Sequence, residues 1–324
     1  MKLCTFAASC LFISFALATA QAGAQDKFPS KPIQILTPQA PGTAVDVLAR
    51  LYAEKLAPRL GTSLVVQNRP GAGGTIAAQA VAKATPDGYT LMLVNTQHSM
   101  NPALYANPGY DTLRDFSGVA MIADAPALVY VNPALGVRSL KDLLTLARQK
   151  PSSINYGSGG IGSATHLAGA YFASRANIDM VHVPYKTGSD LIADLLSGRI
   201  QTTLSPVAFL LSQVREGKLL ALAVTSRQRV AALPDVPTVD EAGVAGYEFT
   251  TWYGFVAPSK TPRATLELLS RALQQATNEK EVQERYMGQG MISKFLALEE
   301  FDAFLKTDVE KIGVLVKAIG AKAD

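Results

Sequence analysis

The sequence predicts an α/β protein with two lobes, each a mostly parallel sheet flanked by helices, joined by crossover strands. The chain has 324 residues, more than a single hydrophobic core usually organises. Short apolar runs alternate with helical stretches along most of it, as in βα units that form parallel sheets covered on both faces. Two longer apolar stretches bracket a central block. A single doubly wound sheet of the dinucleotide-binding kind stays an alternative at this point.

The first elements alternate from residue 31 onward. The strand IQILTP ends in a turn, and the amphipathic helix VDVLARLYAEKLAPRLG is closed by Gly61, because glycine readily adopts the left-handed conformation that ends a helix. The strand SLVVQNRP, the helix GGTIAAQAVAKA and the strand YTLMLVNT follow. In the central block the pattern predicts strands at SINYGS, DMVHVPY and LLALAVTS, and helices at SLKDLLTLARQK, HLAGAYFASRA and SDLIADLLSGR.

The two longer apolar stretches are predicted to be the crossover strands. They read VAMIADAPALVYVNP, near residues 120–133, and FTTWYGFVAP, at residues 249–258, where Trp252 and Tyr253 are expected to lie in the core. Lobe 1 then comprises residues 26–125 together with 251–324, and lobe 2 comprises residues 126–250. The segment from residue 261 onward is predicted to be helical and to pack back onto lobe 1.

Residues 1–24 read as a secretory signal peptide. They contain one positive charge at Lys2, an uncharged apolar stretch from Leu3 to Ala20 and a small-residue cleavage motif, Ala22-Gly23-Ala24. A membrane anchor is the alternative, because the apolar stretch just reaches the lower length for a span, and a lipoprotein modified at Cys10 is less favoured. Both cysteines, Cys4 and Cys10, lie in this segment, so the mature chain is expected to be periplasmic and free of thiol chemistry and disulfides.

The composition limits the classes of ligand. Hydrophobic residues make up 48% of the chain and charged residues 17%, which indicates a globular protein. The formal charge of +4 is spread without a Lys/Arg run, so no nucleic-acid partner is predicted. The three histidines, His98, His166 and His182, have no metal-ligand spacing, so no metal and no cofactor are predicted.

A glycine-rich loop, NYGSGGIGSATH at residues 155–166, joins a predicted strand to a predicted helix. Such a loop presents free backbone N–H groups and the positive end of the helix to an anion. Its glycines match the dinucleotide fingerprint, but the acidic residue needed for the ribose is missing: Asp179 stands at the start of the next strand, not its end. The loop is therefore interpreted either as a binding site for a compact anion or as a purely structural glycine turn.

A similar loop lies earlier in the chain, where PQAPGTAVD at residues 38–46 leads from the first strand into the first helix. Gly42 allows close backbone approach, and Asp46 is placed to cap or start the helix. Two helix amino ends, one in each lobe, are expected to face each other across a cleft and hold a molecule that is negatively charged at both ends.

The chain resembles the receptors of tripartite tricarboxylate transporters, the Bug-type extracytoplasmic solute-binding proteins. The resemblance covers nearly all of the mature chain, in order and with similar spacing. It is carried by these segments: FPSKPIQILTPQAPGTAVDVLAR, VVQNRPGAGGTIAAQAVAKATPDGYTLML, INYGSGGIGSATHLAG, VHVPYKTGSDLIADLLSGRI, GKLLALAVTSRQRVAALPDVPTVDEAG and WYGFVAPSKTP. It implies a periplasmic binding protein type II fold, and a monomer without enzymatic activity that closes over a small mono- or dicarboxylate and delivers it to a membrane permease.

The resemblance also implies the residues of the binding site. One jaw comprises Pro41, Gly42, Thr43, Ala44 and Asp46, and the other comprises Gly159, Gly160, Ile161, Gly162, Ser163 and Thr165. The cleft floor is expected to include Thr96, Gln97, His98, Tyr185, Lys186 and Ser205.

This sequence departs from the family pattern at three of its positions. Thr43 replaces the second glycine of the first jaw, and Gln39 replaces a frequent aromatic residue. Ser205 stands where many members carry Asp, a group suited to an ammonium, which favours a plain carboxylate ligand over an amino acid.

Two alternative functions are open at this stage. A sensor that signals to a histidine kinase would have the same fold and would bind its ligand in the same way. A serine hydrolase would use Ser158 or Ser163 as nucleophile with His166 or His98 as base, but no GxSxG motif surrounds either serine. These residues also have purely structural interpretations. His166 would steady the glycine loop, His182 would be a hydrogen-bonded core or hinge residue, and Lys186 would be a solvated cation at the rim of the cleft.

Overall fold

The computed structural model describes residues 28–318 and 320–322. The predicted signal peptide, residues 1–24 with Cys4 and Cys10, lies outside the described residues. Ten strands and ten α-helices follow one another in the described part of the chain. The first six are β1 (Ile33–Thr37), α1 (Ala44–Leu60), β2 (Leu64–Asn68), α2 (Thr75–Ala82), β3 (Thr90–Asn95) and α3 (Thr96–Leu104).

The central block begins with the 16-residue strand β4 (Phe116–Val131). It continues with α4 (Leu140–Gln149), β5 (Asn155–Ser158), α5 (Ala164–Ala176), β6 (Val181–Pro184), α6 (Gly188–Ser197), β7 (Thr202–Pro206), α7 (Val207–Arg215) and β8 (Leu220–Val224). The chain then returns through β9 (Thr250–Pro258) to α8 (Arg263–Thr277), α9 (Lys280–Gly288), β10 (Ile292–Ala297) and α10 (Leu298–Ala318).

One path of hydrogen-bonded strands, β2-β1-β3-β9-β4-β7-β5-β6, runs through the molecule, with β8 and β10 also paired to β4. The outer strands of each lobe pair in parallel, as the βα spacing predicts. The pairings of β4 and β9 are all antiparallel, so the sheet as a whole is mixed. The predicted α/β class is confirmed.

The two crossover strands differ in how far they reach. Strand β4 pairs with β9 up to Pro126 and with β7 from Ala127 onward, so it belongs to both lobes. The return crossing is shorter: the Phe249 N–H donates to Thr225 O in the second lobe, and Thr250 already pairs with Pro126. The lobe boundaries at residues 125/126 and 250/251 stay a prediction, and the pairing partners of β4 change beside them.

Buried side chains cover both faces of each sheet half, as expected for βα units. The first lobe buries Tyr52 and Phe255 on one face and Trp252 and Phe301 on the other. The second lobe buries Phe172 on one face and Tyr130 on the other. Trp252 and Tyr253 are thus core residues of β9, as predicted.

The C-terminal region differs from the prediction in two ways. Strand β10, which the helical pattern missed, runs antiparallel to β4 at the lobe boundary. Helix α10 packs on both lobes: Phe301 and Leu305 join the first-lobe core, whereas Ile312 and Leu315 join the second. In the part of the chain that the structure describes, none of the helices combines the length and apolarity needed to cross a membrane.

Candidate functional site

The first glycine loop, residues 38–43, joins β1 to α1. Thr43 is the N-cap of α1, and its hydroxyl accepts the Asp46 N–H at 3.4 Å. Gly42 has a φ of +82°, in the left-handed region that suits glycine. The loop therefore ends directly at a capped helix start.

The Asp46 side chain stabilises the conformation of this loop through hydrogen bonds. Its buried carboxylate accepts the Gly42 N–H at 2.9 Å, the Asn68 amide at 2.8 Å and the Arg50 guanidinium at 3.1 Å. The hydrogen bond from Arg50, followed by those from Gly42 and Asn68, outweighs burial and lowers the pKa of Asp46 to about 2. Asn68 also donates to Thr37 Oγ1 and to the Gln39 carbonyl. The Asp46 side chain thus serves the loop rather than pointing out of it.

The second glycine loop, residues 158–163, joins β5 to α5. Ser163 is the N-cap of α5, since its Oγ accepts the His166 N–H at 3.2 Å. The glycine amides of this loop are occupied within it. Gly159 N–H donates to Thr165 Oγ1, Gly160 N–H donates to Ser158 Oγ, and Gly162 N–H donates to His166 Nδ1 at 3.1 Å.

The imidazoles of His166 and His182 stack on each other and hydrogen bond to the second glycine loop. The rings of His166 and His182 stack with centroids 3.8 Å apart, and His182 Nε2 lies 2.6 Å from Ser158 Oγ. Burial, and then the proximity of His166, lower the pKa of His182 to about 4; burial also lowers the pKa of His166. Both rings are neutral at pH 7, and the prediction that His166 steadies the loop is confirmed.

Among the described residues, free amides lie in the loops themselves, at Ala40 and Ile161, and further along the chain in the first turns of α1 and α5. In the described part of the chain, four backbone N–H groups there have no hydrogen-bond partner: those of Ala44 and Val45 in α1, and of Ala164 and Thr165 in α5. First-turn N–H groups and the positive helix end together favour an anion. Each of the two glycine loops thus leads directly into such a helix start.

Helix α3 connects the surroundings of the two loops. Its C-terminal Leu104 lies against the second glycine loop, because a Cβ added to Gly162 would lie 3.0 Å from Leu104 Cδ2. Asn101, one turn earlier, donates to Gly73 O at 3.2 Å. Thr96, at the start of the helix, accepts the Trp252 N–H of the crossover strand β9 at 3.0 Å.

A cavity of about 200 Å³ lies in the first lobe between the first glycine loop, the glycines that precede α2, strand β3 and helix α3. It is lined by Pro38, Gln39, Gly71, Gly73, Gly74, Met92, Val94, Asn95, Gln97, His98 and Asn101. Of the predicted floor residues, Gln97 and His98 line it. Sequence reasoning missed Asn95 and Asn101 as site candidates, although Asn95 ends the apolar strand β3 and caps α3.

The other predicted floor residues have partners elsewhere. Ser205 is buried and hydrogen bonds with Thr203. The Tyr185 hydroxyl donates to Asp194 Oδ2 at 2.9 Å, and Lys186 is exposed just before α6. Which of the predicted residues contact a ligand stays a prediction.

The geometry does not favour the hydrolase alternative. Ser158 is fully buried, and its hydroxyl bonds to Gly160 as well as to His182. Among the described residues, no carboxylate hydrogen bonds to His182 or His166. The Ser163 hydroxyl is the helix cap and donates to Gly160 O. Neither serine is arranged as an activated nucleophile, which needs a base that a third group orients.

Comparison with known proteins identifies the family. The model of the tripartite tricarboxylate transporter family receptor matches residues 48–321. A protein of Pseudomonas sp. (strain P51), encoded in the tcbD-tcbE intergenic region, is 35% identical over 302 residues, which are 92% of this chain and 90% of that protein.

Solved structures agree in fold. Rpa4515 of R. palustris, solved with adipate, is 30% identical with a TM-score of 0.78, over 91% of this chain and 99% of that one. MatC from Rhodopseudomonas palustris, solved with bound malate, is 26% identical with a TM-score of 0.74, over 89% and 100%. The predicted resemblance is confirmed, and the fold is the two-lobed one of periplasmic binding proteins. The chain belongs to the tripartite tricarboxylate transporter receptor family.

Proposed function

We propose that the chain is an exported receptor that captures a small carboxylate between its two glycine loops and delivers it to a tripartite tricarboxylate-type permease. The observation that carries this proposal is the set of four unpartnered N–H groups at the starts of α1 and α5, one pair in each lobe. The family model and the adipate and malate bound by two relatives support it.

The carboxylate is held by backbone dipoles in this proposal. N–H groups fixed by a capped helix start need no reorganisation when the anion arrives, and their hydrogen bonds to a charged acceptor are stronger than neutral ones. Asp46 and the neutral pair His166 and His182 contribute indirectly, because they use up the neighbouring loop amides and leave the first-turn amides free.

Closure of the lobes completes the site. The connections between the lobes include β4 near Pro126 and the return crossing at Phe249 and Thr250, where a small bend moves one helix start toward the other. The ligand favours the closed state only through contacts that it makes with both lobes at once. The permease then recognises the closed receptor in the periplasm, after export directed by residues 1–24.

The test is ligand-induced stabilisation of the protein purified after export. We expect linear mono- and dicarboxylates to raise the melting temperature, and the best of them to bind with a Kd of about 1 μM or below, equivalent to about 8 kcal/mol. Primary amines with the same carbon skeletons serve as controls and are expected to have no effect. Absence of stabilisation by every carboxylate would refute the proposal.

A variant locates the site. Gly160 has a φ of +105°, a conformation that β-branched residues do not tolerate. Gly160→Val is therefore expected to abolish carboxylate-induced stabilisation while the far-UV circular dichroism spectrum is retained. Unchanged affinity would place the ligand away from the second glycine loop.

A further inference from the structure

The lining of the first-lobe cavity is uncharged. Of the eleven described residues that line it, none is Asp, Glu, Lys or Arg, and burial lowers the pKa of His98 to about 4, so this ring is neutral at pH 7. Amide side chains come from three elements: Gln39 from the first glycine loop, Asn95 from the end of β3, and Gln97 from α3. A ligand group entering this cavity meets no countercharge from its walls.

His98 is a buried polar side chain of the cavity wall that lacks hydrogen bonds to the described residues. It is 3% exposed, and neither of its ring nitrogens has a hydrogen-bond partner among the described residues. Its ring is held by Tyr110, which stacks on it, and by the edge of Phe116. Buried polar atoms in native proteins are nearly always paired, with protein, water or ligand. The neutral imidazole offers one donor and one acceptor.

The remaining amides also present donors and acceptors together. Asn101 spends both of its N–H groups on Gly73 O and Tyr110 Oη, and its carbonyl oxygen accepts from Gln97 Nε2 at 2.9 Å. The Gln97 carbonyl oxygen, the Asn95 amide nitrogen and the whole Gln39 amide have no partner among the described residues. A carboxylate only accepts hydrogen bonds and would leave the acceptors facing it unpaired.

We propose that this cavity is a second subsite, which receives the far end of the ligand as an uncharged group that both donates and accepts hydrogen bonds, namely a hydroxyl or a carboxamide. The inference rests on the proposed function, because the ligand's carboxylate occupies the helix starts of α1 and α5. The first glycine loop links the two places: it ends at α1, and its Pro38 and Gln39 line the cavity. The preferred class is then a monocarboxylate with a polar, neutral tail.

The experiment is a titration series with matched acids. For chains of three to six methylenes, calorimetry at pH 7.5 compares a methyl, a hydroxyl, a carboxamide and a second carboxylate at the far end. At the best length we expect the hydroxyl or carboxamide acid to bind about tenfold more tightly than the methyl acid and the dicarboxylate, the effect of about one satisfied buried hydrogen bond. A dicarboxylate that binds equally well or better overturns the proposal, even though it supports a carboxylate receptor. No binding by any acid of the series overturns both.

Two variants assign the effect to the cavity. His98→Phe keeps the ring contacts with Tyr110 and Phe116 but removes both nitrogens, and Gln39→Leu removes an amide at the loop side, so one remains if the other fails to fold. Each is expected to reduce the ratio of polar-tail to methyl-tail affinity from about tenfold to about one, and this ratio is the readout. Gln274→Leu, the same change on the exposed face of α8, is the matched control. Retention of the full advantage in both cavity variants overturns the assignment.

Discussion

Gly162 donates its backbone N–H to His166 Nδ1 over 3.1 Å, and this bond requires that nitrogen to be unprotonated. His182 stacks on His166 and hydrogen bonds with Ser158 of the same loop. Its ring is neutral because it is buried. The conformation of the second glycine loop therefore depends on two uncharged imidazoles.

Acid is expected to destabilise the protein through its histidines. In the unfolded chain they take up protons near pH 6.5, whereas the folded-state pKa values of His98 and His182 are lowered to about 4. Because the unfolded state binds more protons in this window, the free energy of unfolding falls as pH drops from about 6.5 to about 4. Urea denaturation at pH 7.5, 6.5, 5.5 and 4.5 measures the loss.

The variant His182→Phe separates titration from packing. It keeps a ring against His166 and Tyr156 but cannot be protonated, so the loss of stability between pH 6.5 and 5 is expected to shrink. Tyr156 is the remaining titratable group whose ring contacts His182 in the described structure, and its pKa is raised to about 12 by burial, outside this window. An unchanged pH slope in the variant would contradict the assignment.

Asp46 is expected to matter for ligand affinity without touching the ligand. In Asp46→Asn one carboxylate oxygen becomes an NH2 group that faces a donor from Gly42, Asn68 or Arg50. We expect a loss of about 1–3 kcal/mol in the free energy of unfolding, and weaker carboxylate binding because the first glycine loop loosens. Denaturant titration and calorimetry measure the two effects.

Glu267→Gln provides the comparison for Asp46→Asn. Glu267 pairs with Arg263 on the exposed side of α8, where solvent screening leaves such a pair with little effect on stability. We expect little change in stability and none in ligand affinity. Equal effects of the two variants would show that Asp46 acts through charge alone and not through the shape of the loop.

Local signals in the sequence predict most elements and both loops. The helix from residue 44 ends at Gly61 because glycine adopts the left-handed cap there, and Ser163 caps α5 because serine side chains accept helix N–H groups. Strand β10 was not predicted, because its short apolar run becomes a strand through pairing with β4, far away in sequence.

The details of the candidate site depend on contacts that no local pattern shows. Asn68 reaches Asp46 across 22 positions, and His182 reaches Ser158 across 24. These contacts decide which amides are consumed inside the loops and which are free. The sequence therefore predicts the two loops and the residues around each helix start, including Ala44 and Thr165, but not which of their backbone N–H groups stay free.

Two glycines of the loops are expected to differ in their tolerance of a methyl group. Gly42→Ala strains a φ of +82° but meets nothing within 4 Å, whereas Gly162→Ala combines a φ of +74° with a Cβ 3.0 Å from Leu104. We expect a cost of about 1 kcal/mol for the first and a larger one for the second, which also pushes the second loop away from α3. Thermal denaturation and carboxylate titration test the order. The reverse order would argue against the contact between Gly162 and Leu104.

Trp252 is the single tryptophan of the chain and lies in the crossover strand β9, so its fluorescence can test the proposed closure. Its indole N–H donates to Asp308 Oδ2 at 2.7 Å, and its backbone N–H donates to Thr96 of α3 at 3.0 Å. Burial raises the pKa of Asp308, which means that the ionised carboxylate is disfavoured in the folded state. Asp308→Asn retains an acceptor for the indole without that desolvation cost, so we expect equal or higher stability at pH 7, whereas Asp308→Ala loses about 1–3 kcal/mol because the indole N–H is left unpaired.

Closure of the lobes on a carboxylate should shift the emission of Trp252 in the wild type and in Asp308→Asn with the same apparent Kd. An emission spectrum that stays constant while calorimetry detects binding would show that β9 does not take part in closure.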